Sequence, residues 1–413
     1  MSHLDRTFYI SLVLGIFIAL SACAGRPPAP PAEHRDALPW GAISTQGAKT
    51  TLDSQVFRSL GDAFTSDHLD TNTNGGSVPK FAVLALSGGG SNGAFAVGLL
   101  SGWSAHGTRP QFKIVTGVST GALIATYAFL GPEYDTLIEK LYTSITDQDV
   151  YRNRNPFSVL FGDSLRDTSP LRRMIASWID SELLARVAEE HRKGRRLYIA
   201  TTDLDATRLV TWDMGAIAAS DRSDRLQRYR DVLLASAAIP VAFPPVYFPL
   251  EVDGETYWQM HVDGGASANI FFAGFMFDVQ RAIEAQRLAK GAAVDFYLIV
   301  NSPLLPEPLD LPVKGNLLSI AAASTWSMSW AAQSAQLIRM YKTIRGLGHA
   351  YHLAGIPPEY PEPLDSSSFD PESMTRLLQF AKRQAAEGYP WLVAPSDIEW
   401  REAVPEGAPK ASE

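Results

Sequence analysis

From residue 81 onward, apolar residues fall into two kinds of run. Short continuous runs at Phe81–Ser87, Phe112–Thr116, Leu197–Thr202, Val210–Trp212, Tyr257–Val262 and Val294–Val300 predict strands. Helical spacing predicts helices over Ala94–Ala105, Thr120–Leu130, Phe275–Lys290, residues 316–346 and Phe369–Gly388. In the last of these, Asp370 is placed to cap and Pro371 to occupy the first position. Strands that alternate with helices predict an α/β sandwich around a mostly parallel sheet. Residues 42–78 are polar, and the stretch TNTNGGSVP at 71–79 reads as a loop, so the folded catalytic part is expected to begin near Pro79. No internal repeat is present.

The N-terminus follows a different pattern. Arg6 precedes an apolar run from Phe8 to Ala19, too short for a full membrane span, and small residues follow. Leu20-Ser21-Ala22-Cys23 resembles the lipobox of bacterial lipoproteins, although Asp5 stands beside the only strong cation of the leader. That resemblance implies a signal peptide over 1–22 and acylation of Cys23, the only cysteine in the chain. An uncleaved anchor helix is the other reading, and both leave the chain exported and held at a membrane. Ala24 lacks the aspartate associated with inner-membrane retention, which favours the outer membrane. The Pro- and Ala-rich AGRPPAPPAEHRDALPWG then suits a semi-extended tether, with tether and linker together covering 23–78. The net charge of −8, with no basic stripe, gives no sign of a nucleic-acid partner; RKGRR at 192–196 reads as a solvated helix end.

Candidate chemistry begins after the first strand. Gly88-Gly89-Gly90-Ser91-Asn92-Gly93 satisfies G-x-G-x-x-G between a strand and a helix. A dinucleotide site would need an acid ending the next strand, and that strand ends Ile114-Val115-Thr116-Gly117; a P-loop would need a following lysine. Gly117-Val118-Ser119-Thr120-Gly121 is G-x-S-x-G at a strand-to-helix junction, the setting of a nucleophile elbow. Gly117 and Gly121 let the chain bend there, and Ser119 meets a helix N-terminus that favours negative charge. Three successive glycines offer backbone N–H groups to an oxyanion. The base that a serine needs stands out as Asp263, which ends an apolar strand before Gly264 and Gly265. No histidine lies in a strong motif, although alternation places His261 on the face of Asp263.

These three blocks, in this order, resemble the patatin-like phospholipase family. Weaker blocks at Asp167–Leu171, Ala200–Leu204, Ala235–Pro240 and Phe243–Pro245 extend the resemblance over about Lys80 to Asn269. It implies a three-layer α/β/α sandwich, with a catalytic core at 79–275 and a C-terminal extension at 276–413 completing the same domain. It also implies Ser119 as nucleophile, Asp263 as base without a histidine, and the amides of Gly88, Gly89 and Gly90 as the oxyanion hole. Gly93 and Asn92 would support the loop. Asn92 stands where the family often has Arg or Lys, and Asn269-Ile270-Phe271 lacks the family's proline. The implied activity is hydrolysis of a phospholipid or other acyl-ester lipid through an acyl-enzyme, with no cofactor or metal. Two alternatives stay open: a Ser–His–Asp hydrolase using His349 or His352, and a membrane-anchored lipid-binding scaffold with a silent site. The segment Thr325–Trp330 (TWSMSW) reads as core or as a lip that admits lipid tails. Oligomeric state is left open by the sequence.

Overall fold

The computed structural model describes residues 26–43, 59–60, 80–155, 162–272, 293–305 and 312–395. Cys23, the leader and the expected helix Phe275–Lys290 lie outside the described residues.

The strands in chain order are β1 (Ala42–Ile43), β2 (Lys80–Leu86), β3 (Ile114–Gly117), β4 (Arg152–Asn153), β5 (Arg166–Asp167), β6 (Arg196–Asp203), β7 (Arg208–Asp213), β8 (Val246–Val252), β9 (Glu255–Asp263), β10 (Ala293–Pro303) and β11 (Ala350–Ile356). Among the described residues, nine of them form one sheet in the order β1-β7-β6-β3-β2-β10-β11, with β9 joined to β6 and β8 to β9. The five strands from β6 to β11 on this path are parallel; β1, β7 and β9 join antiparallel. A central parallel sheet must be covered on both faces, and strand alternation divides its side chains between two cores. Leu84, Leu86 and Val115 enter one core; Val83, Ala85 and Ile114 enter the other.

The first core is covered by α1 (Gly93–His106), α2 (Thr120–Leu130), α3 (Asp135–Tyr142), α4 (Ser169–Trp178), α5 (Ser181–Arg192), α6 (Met214–Ala219), α7 (Arg225–Ser236) and α9 (Pro371–Ala386). The second is covered by α8 (Leu317–Gly346), through Leu337, Met340 and Ile344. The mixed α/β sandwich and the mostly parallel sheet are as the sequence predicted. All eleven residues of α2 are buried, which a helix between sheet and outer helices requires. Asp370 caps α9 by accepting the Ser373 N–H at 2.8 Å, with Pro371 at its first position.

Two expectations are corrected. Residues 26–43 are not a free tether. Arg26 makes a two-pronged ion pair with Asp205 at 2.8 and 2.7 Å, the Trp258 N–H donates to the Pro28 carbonyl, and β1 pairs with Thr211 and Trp212. The body therefore begins well before Pro79. RKGRR is likewise only half a solvated helix end. Arg195 and Arg196 are buried, because β6 starts there and takes them inside. Arg195 donates to the Phe112 carbonyl and pairs with Glu190, and Arg196 donates to the Ser59 carbonyl.

Candidate active site

In an open parallel sheet the crevice beyond the carboxyl ends of the strands receives the loops that diverge there. Here β2 ends in Ser87 and the glycine loop, β3 ends in the turn that holds Ser119, and β10 ends near Asn301. Parallel pairing brings these ends together: Leu86 is opposite Gly117 on one side and Ile299 on the other.

Ser119 has φ +55°, a value that side chains with a Cβ rarely adopt, and it immediately precedes α2. Such strain needs surroundings that fix it. Beneath the turn, Val118 N–H donates to the Leu86 carbonyl at 3.2 Å. Gly121 lies so close to β2 that a Cβ there would stand 2.5 Å from the Ser87 carbonyl and 2.6 Å from that of Leu86. Gly117 faces the first turn of α2 just as tightly. Ser236, at the end of α7, accepts the Ser119 N–H at 3.0 Å and donates to the Ala200 carbonyl at 2.7 Å.

Asp263 arrives from β9, whose antiparallel register puts it opposite Thr201 on β6. Its side chain is buried, accepts the Gly265 N–H at 2.7 Å and faces the Ser119 hydroxyl. Burial pushes its pKa up to about 6, and the Ser119 hydroxyl and the Gly265 N–H hold it from rising further. Gly264 lets the chain turn under the Ala200 carbonyl. Ser119 and Asp263, 144 positions apart in sequence, are thus in direct contact.

The glycine loop stands against the serine: a Cβ on Gly88 would lie 3.1 Å from the Ser119 Cβ. The three amides are not equivalent. Gly88 N–H is already given to the Asn269 carbonyl at 2.9 Å. No described residue accepts a hydrogen bond from the N–H of Gly89 or Gly90. Gly90 has φ +56°, and a Cβ there would run into the Ser366 carbonyl, which itself accepts the Ser91 N–H. Asn92 was expected to hydrogen-bond the loop. It does so only through its backbone, whose N–H closes a turn on the Gly89 carbonyl. Gly93 opens α1 against Thr120 and Tyr142, where no side chain would fit.

The histidine alternatives lose their geometry. His349 precedes β11 and His352 pairs with Tyr297, so both lie toward the amino ends of the strands, across β10 and β2 from β3. His352 stacks on Tyr297 and faces Asp295. His261 is buried among Trp212 and Phe248, shares hydrogen bonds with Thr201 and Gln259, and has its pKa pushed down to about 3 by burial. It is a neutral core group. Among the described residues, no set of three His, Cys, Asp or Glu side chains stands together to hold a metal ion.

Several residues that frame the site carried no motif of their own. Asn301 donates from Nδ2 to the Ser87 carbonyl at 2.9 Å and accepts the Ala96 N–H of α1 at 3.2 Å, tying β10 to the glycine loop and the helix after it. Asn269 hydrogen-bonds Gln333 of α8. The segment around Asp365 and Ser366 clamps Ser91 from above. A usable signal for Asn301 was its place: a polar residue ending the central apolar run VDFYLIV, where a parallel sheet presents its crevice.

The mostly parallel α/β sandwich thus brings the G-x-S-x-G serine to an aspartate that ends a distant strand. Residues 84–276 match the family model of patatin-like phospholipase. That family is one of lipid-hydrolysing esterases. Among solved structures, the chain is similar to VipD from Legionella pneumophila at 13% identity and a TM-score of 0.36, covering 74% of this chain and 66% of VipD. The chain thus spans just under two thirds of that protein's length. No curated protein matches it.

Proposed function

We propose that the chain hydrolyses acyl esters of lipids with Ser119 as nucleophile and Asp263 as the sole base. The observation that carries this reading is a serine on a strained turn whose hydroxyl faces a buried carboxylate with its pKa raised to about 6. A base poised near the working pH transfers protons most effectively. Asp263, ionised, takes the Ser119 proton as Oγ attacks the ester carbonyl. The amides of Gly89 and Gly90 receive the oxyanion; Gly88 shapes the loop instead, since its N–H is committed to Asn269. The proton passes from Asp263 to the leaving alcohol. Water then gives a proton to Asp263 as its oxygen attacks the acyl-enzyme; the intermediate collapses, Ser119 Oγ leaves and takes that proton back from Asp263, and the fatty acid is released. Phospholipids and lysophospholipids are the substrates proposed.

The test follows fatty-acid release from a fluorogenic phospholipid and a short acyl ester, with labelling by a fluorophosphonate. Wild type should hydrolyse the esters and take the label; Ser119→Ala should do neither. Ester hydrolysis retained by Ser119→Ala would refute the assignment. We further propose that Cys23 carries the lipid anchor; loss of fatty-acid incorporation in Cys23→Ser would establish it, and unchanged incorporation would exclude it.

A further inference from the structure

Helix α8 is longer than the sheet it covers. Its 30 residues reach roughly 45 Å at about 1.5 Å per residue. The seven residues each of β2 and β11 reach only roughly 23 Å. The carboxyl end of α8 is pinned, because β11 begins at Ala350, a few residues beyond Gly346. Since β10 and β11 are parallel, the helix between them runs the other way. The surplus, roughly 20 Å or about 14 residues over β2 and β11 and roughly 9 Å over the eleven-residue β10, therefore stands at the amino end of α8, beyond the carboxyl ends of the strands where Ser119 sits.

Exposure agrees with this construction. Trp330, Gln333, Leu337, Met340 and Ile344 lie at alternating steps of three and four, a single inward stripe, and Trp326 continues it. From Gln333 onward that stripe is buried. Before it, Trp326 is 53% exposed, Trp330 is half-buried, and Met328 and Ile320, on other sides of the helix, are 65% and 51% exposed. Leu317–Ile338 holds no charged residue. A helix that is uncharged on every side and projects from the body marks a surface for an apolar partner.

The flanking charges say which kind. The chain has 44 acidic residues, yet none falls between Asp310 and Glu359. That stretch carries Lys314 before the apolar length and Arg339, Lys342 and Arg345 behind it, a layout complementary to anionic headgroups around an apolar interior. Arg26, three residues after Cys23, is held beyond the end of β6 by Asp205 and the Trp258 carbonyl, at this same end of the sheet. The arm is also continuous with the candidate site: Gln333 hydrogen-bonds Asn269, whose carbonyl holds Gly88. Among the described residues no helix is long and apolar enough to cross a membrane, so the arm enters one face only.

We propose that the overhanging half of α8 is a docking arm for an anionic lipid surface, with Ile320, Trp326, Met328 and Trp330 entering the boundary between headgroups and acyl chains. The docking stands on the helix itself. That the docked lipid is delivered to Ser119 rests on the function proposed above.

Two readouts separate these claims. In the full chain carrying Cys23→Ser and Ser119→Ala, Met328→Cys leaves one thiol for an environment-sensitive nitrobenzoxadiazole label. Vesicles of phosphatidylcholine with about one third phosphatidylglycerol should raise its emission about fivefold, and nitroxide lipids should quench it. Pure phosphatidylcholine, high salt, or Arg339→Gln with Lys342→Gln should weaken the response. The same label at Asp253, on the exposed β8–β9 turn, should not respond. No response at 328 on vesicles that carry the protein in flotation would overturn the proposal. So would a response that needs only higher protein concentration, since a second copy would then cover the arm. With Ser119 intact, Trp326→Ser with Met328→Ser should slow hydrolysis of vesicle lipid about tenfold and leave a short soluble ester untouched. Equal loss on both substrates would sever the arm from delivery. A wild type inert on both would defeat the esterase reading, while the fluorescence of the label would still decide the docking.

Discussion

At the scale of single residues, Asp263 is a buried acid whose ionised form does the work in the proposed mechanism. Its pKa is raised to about 6 by loss of solvent and is restrained by the Ser119 hydroxyl and the Gly265 N–H. Activity should therefore fall on the acid side with an apparent pKa near 6, read from kcat/KM against pH on a soluble ester; a flat profile down to pH 4 would exclude Asp263 as base. The same shift bears on stability. An unfolded aspartate has a pKa of 3.8. Between that value and about 6 the folded state binds more protons than the unfolded one, so stability falls as pH rises through this window. About two units correspond to roughly 3 kcal/mol of cost at neutral pH, as an upper figure. Asp263→Asn keeps an oxygen for the Gly265 N–H and removes the charge. It should be inactive and yet more resistant to urea than wild type at pH 7, with the difference vanishing near pH 4. Equal midpoints at both values would show that the carboxylate is better solvated than its burial indicates.

At the scale of elements, the site is a meeting of strand ends, and its rigidity depends on what joins them. Asn301, fully buried, bridges β10, the Ser87 carbonyl and the first turn of α1, while its own N–H donates to Ser87 Oγ at 2.8 Å. Asn301→Ala takes the side-chain donor from the buried Ser87 carbonyl and an acceptor from the Ala96 N–H, at a cost of about 1–3 kcal/mol for a buried group left unmet. We expect a folded enzyme with kcat lowered about tenfold or more, since losing one oxyanion donor outright costs about 2.7–4 kcal/mol in related chemistry and here the donors only loosen. Asn301→Asp should be slower still, because a carboxylate cannot donate to Ser87 and repels the oxyanion. An unchanged kcat in both variants would free the loop from this tie. Of these parts, the strands and the serine turn were legible in the sequence because each is local: an apolar run, then glycines at fixed spacing. Asp263 stood out as a carboxylate ending a strand before two glycines, and the family resemblance paired it with Ser119; spacing alone could not bring the two together, since β9 reaches β6 by a long-range antiparallel register. Asn301, Ser236 and the Ser366 clamp left no trace, because a polar residue acquires such a role only when distant strands are brought side by side. The bond that engages the Gly88 N–H was hidden for the same reason: the carbonyl of Asn269 that takes it comes from far along the chain.

At the scale of the whole molecule, the part that composition misjudged is the N-terminal approach. Proline and alanine between 24 and 41 resemble a spacer, and a spacer is dispensable. What composition does not report is where the backbone carbonyls of such a segment go. Those of Arg35, Asp36 and Ala37 surround the guanidinium of Arg208, at 2.9 to 3.1 Å. Ala37 also receives Nε2 of Gln259, a side chain with no solvent exposure, and Pro28 receives the N–H of Trp258. The segment thus completes the hydrogen bonding of β7 and β9, and β9 carries Asp263. A chain that starts at Trp40 loses all of these partners and keeps β1; one that starts at Arg26 keeps everything. Water would replace part of what is lost, so the cost should be on the order of 2–4 kcal/mol rather than the sum over every bond. The shorter chain should melt several degrees lower, and its loss of ester hydrolysis on warming should precede that of the longer chain, because β9 is the strand left short of partners. If the two chains melt together, the N-terminal approach is the spacer that its composition suggests, and its carbonyls merely follow a surface that water would satisfy equally well.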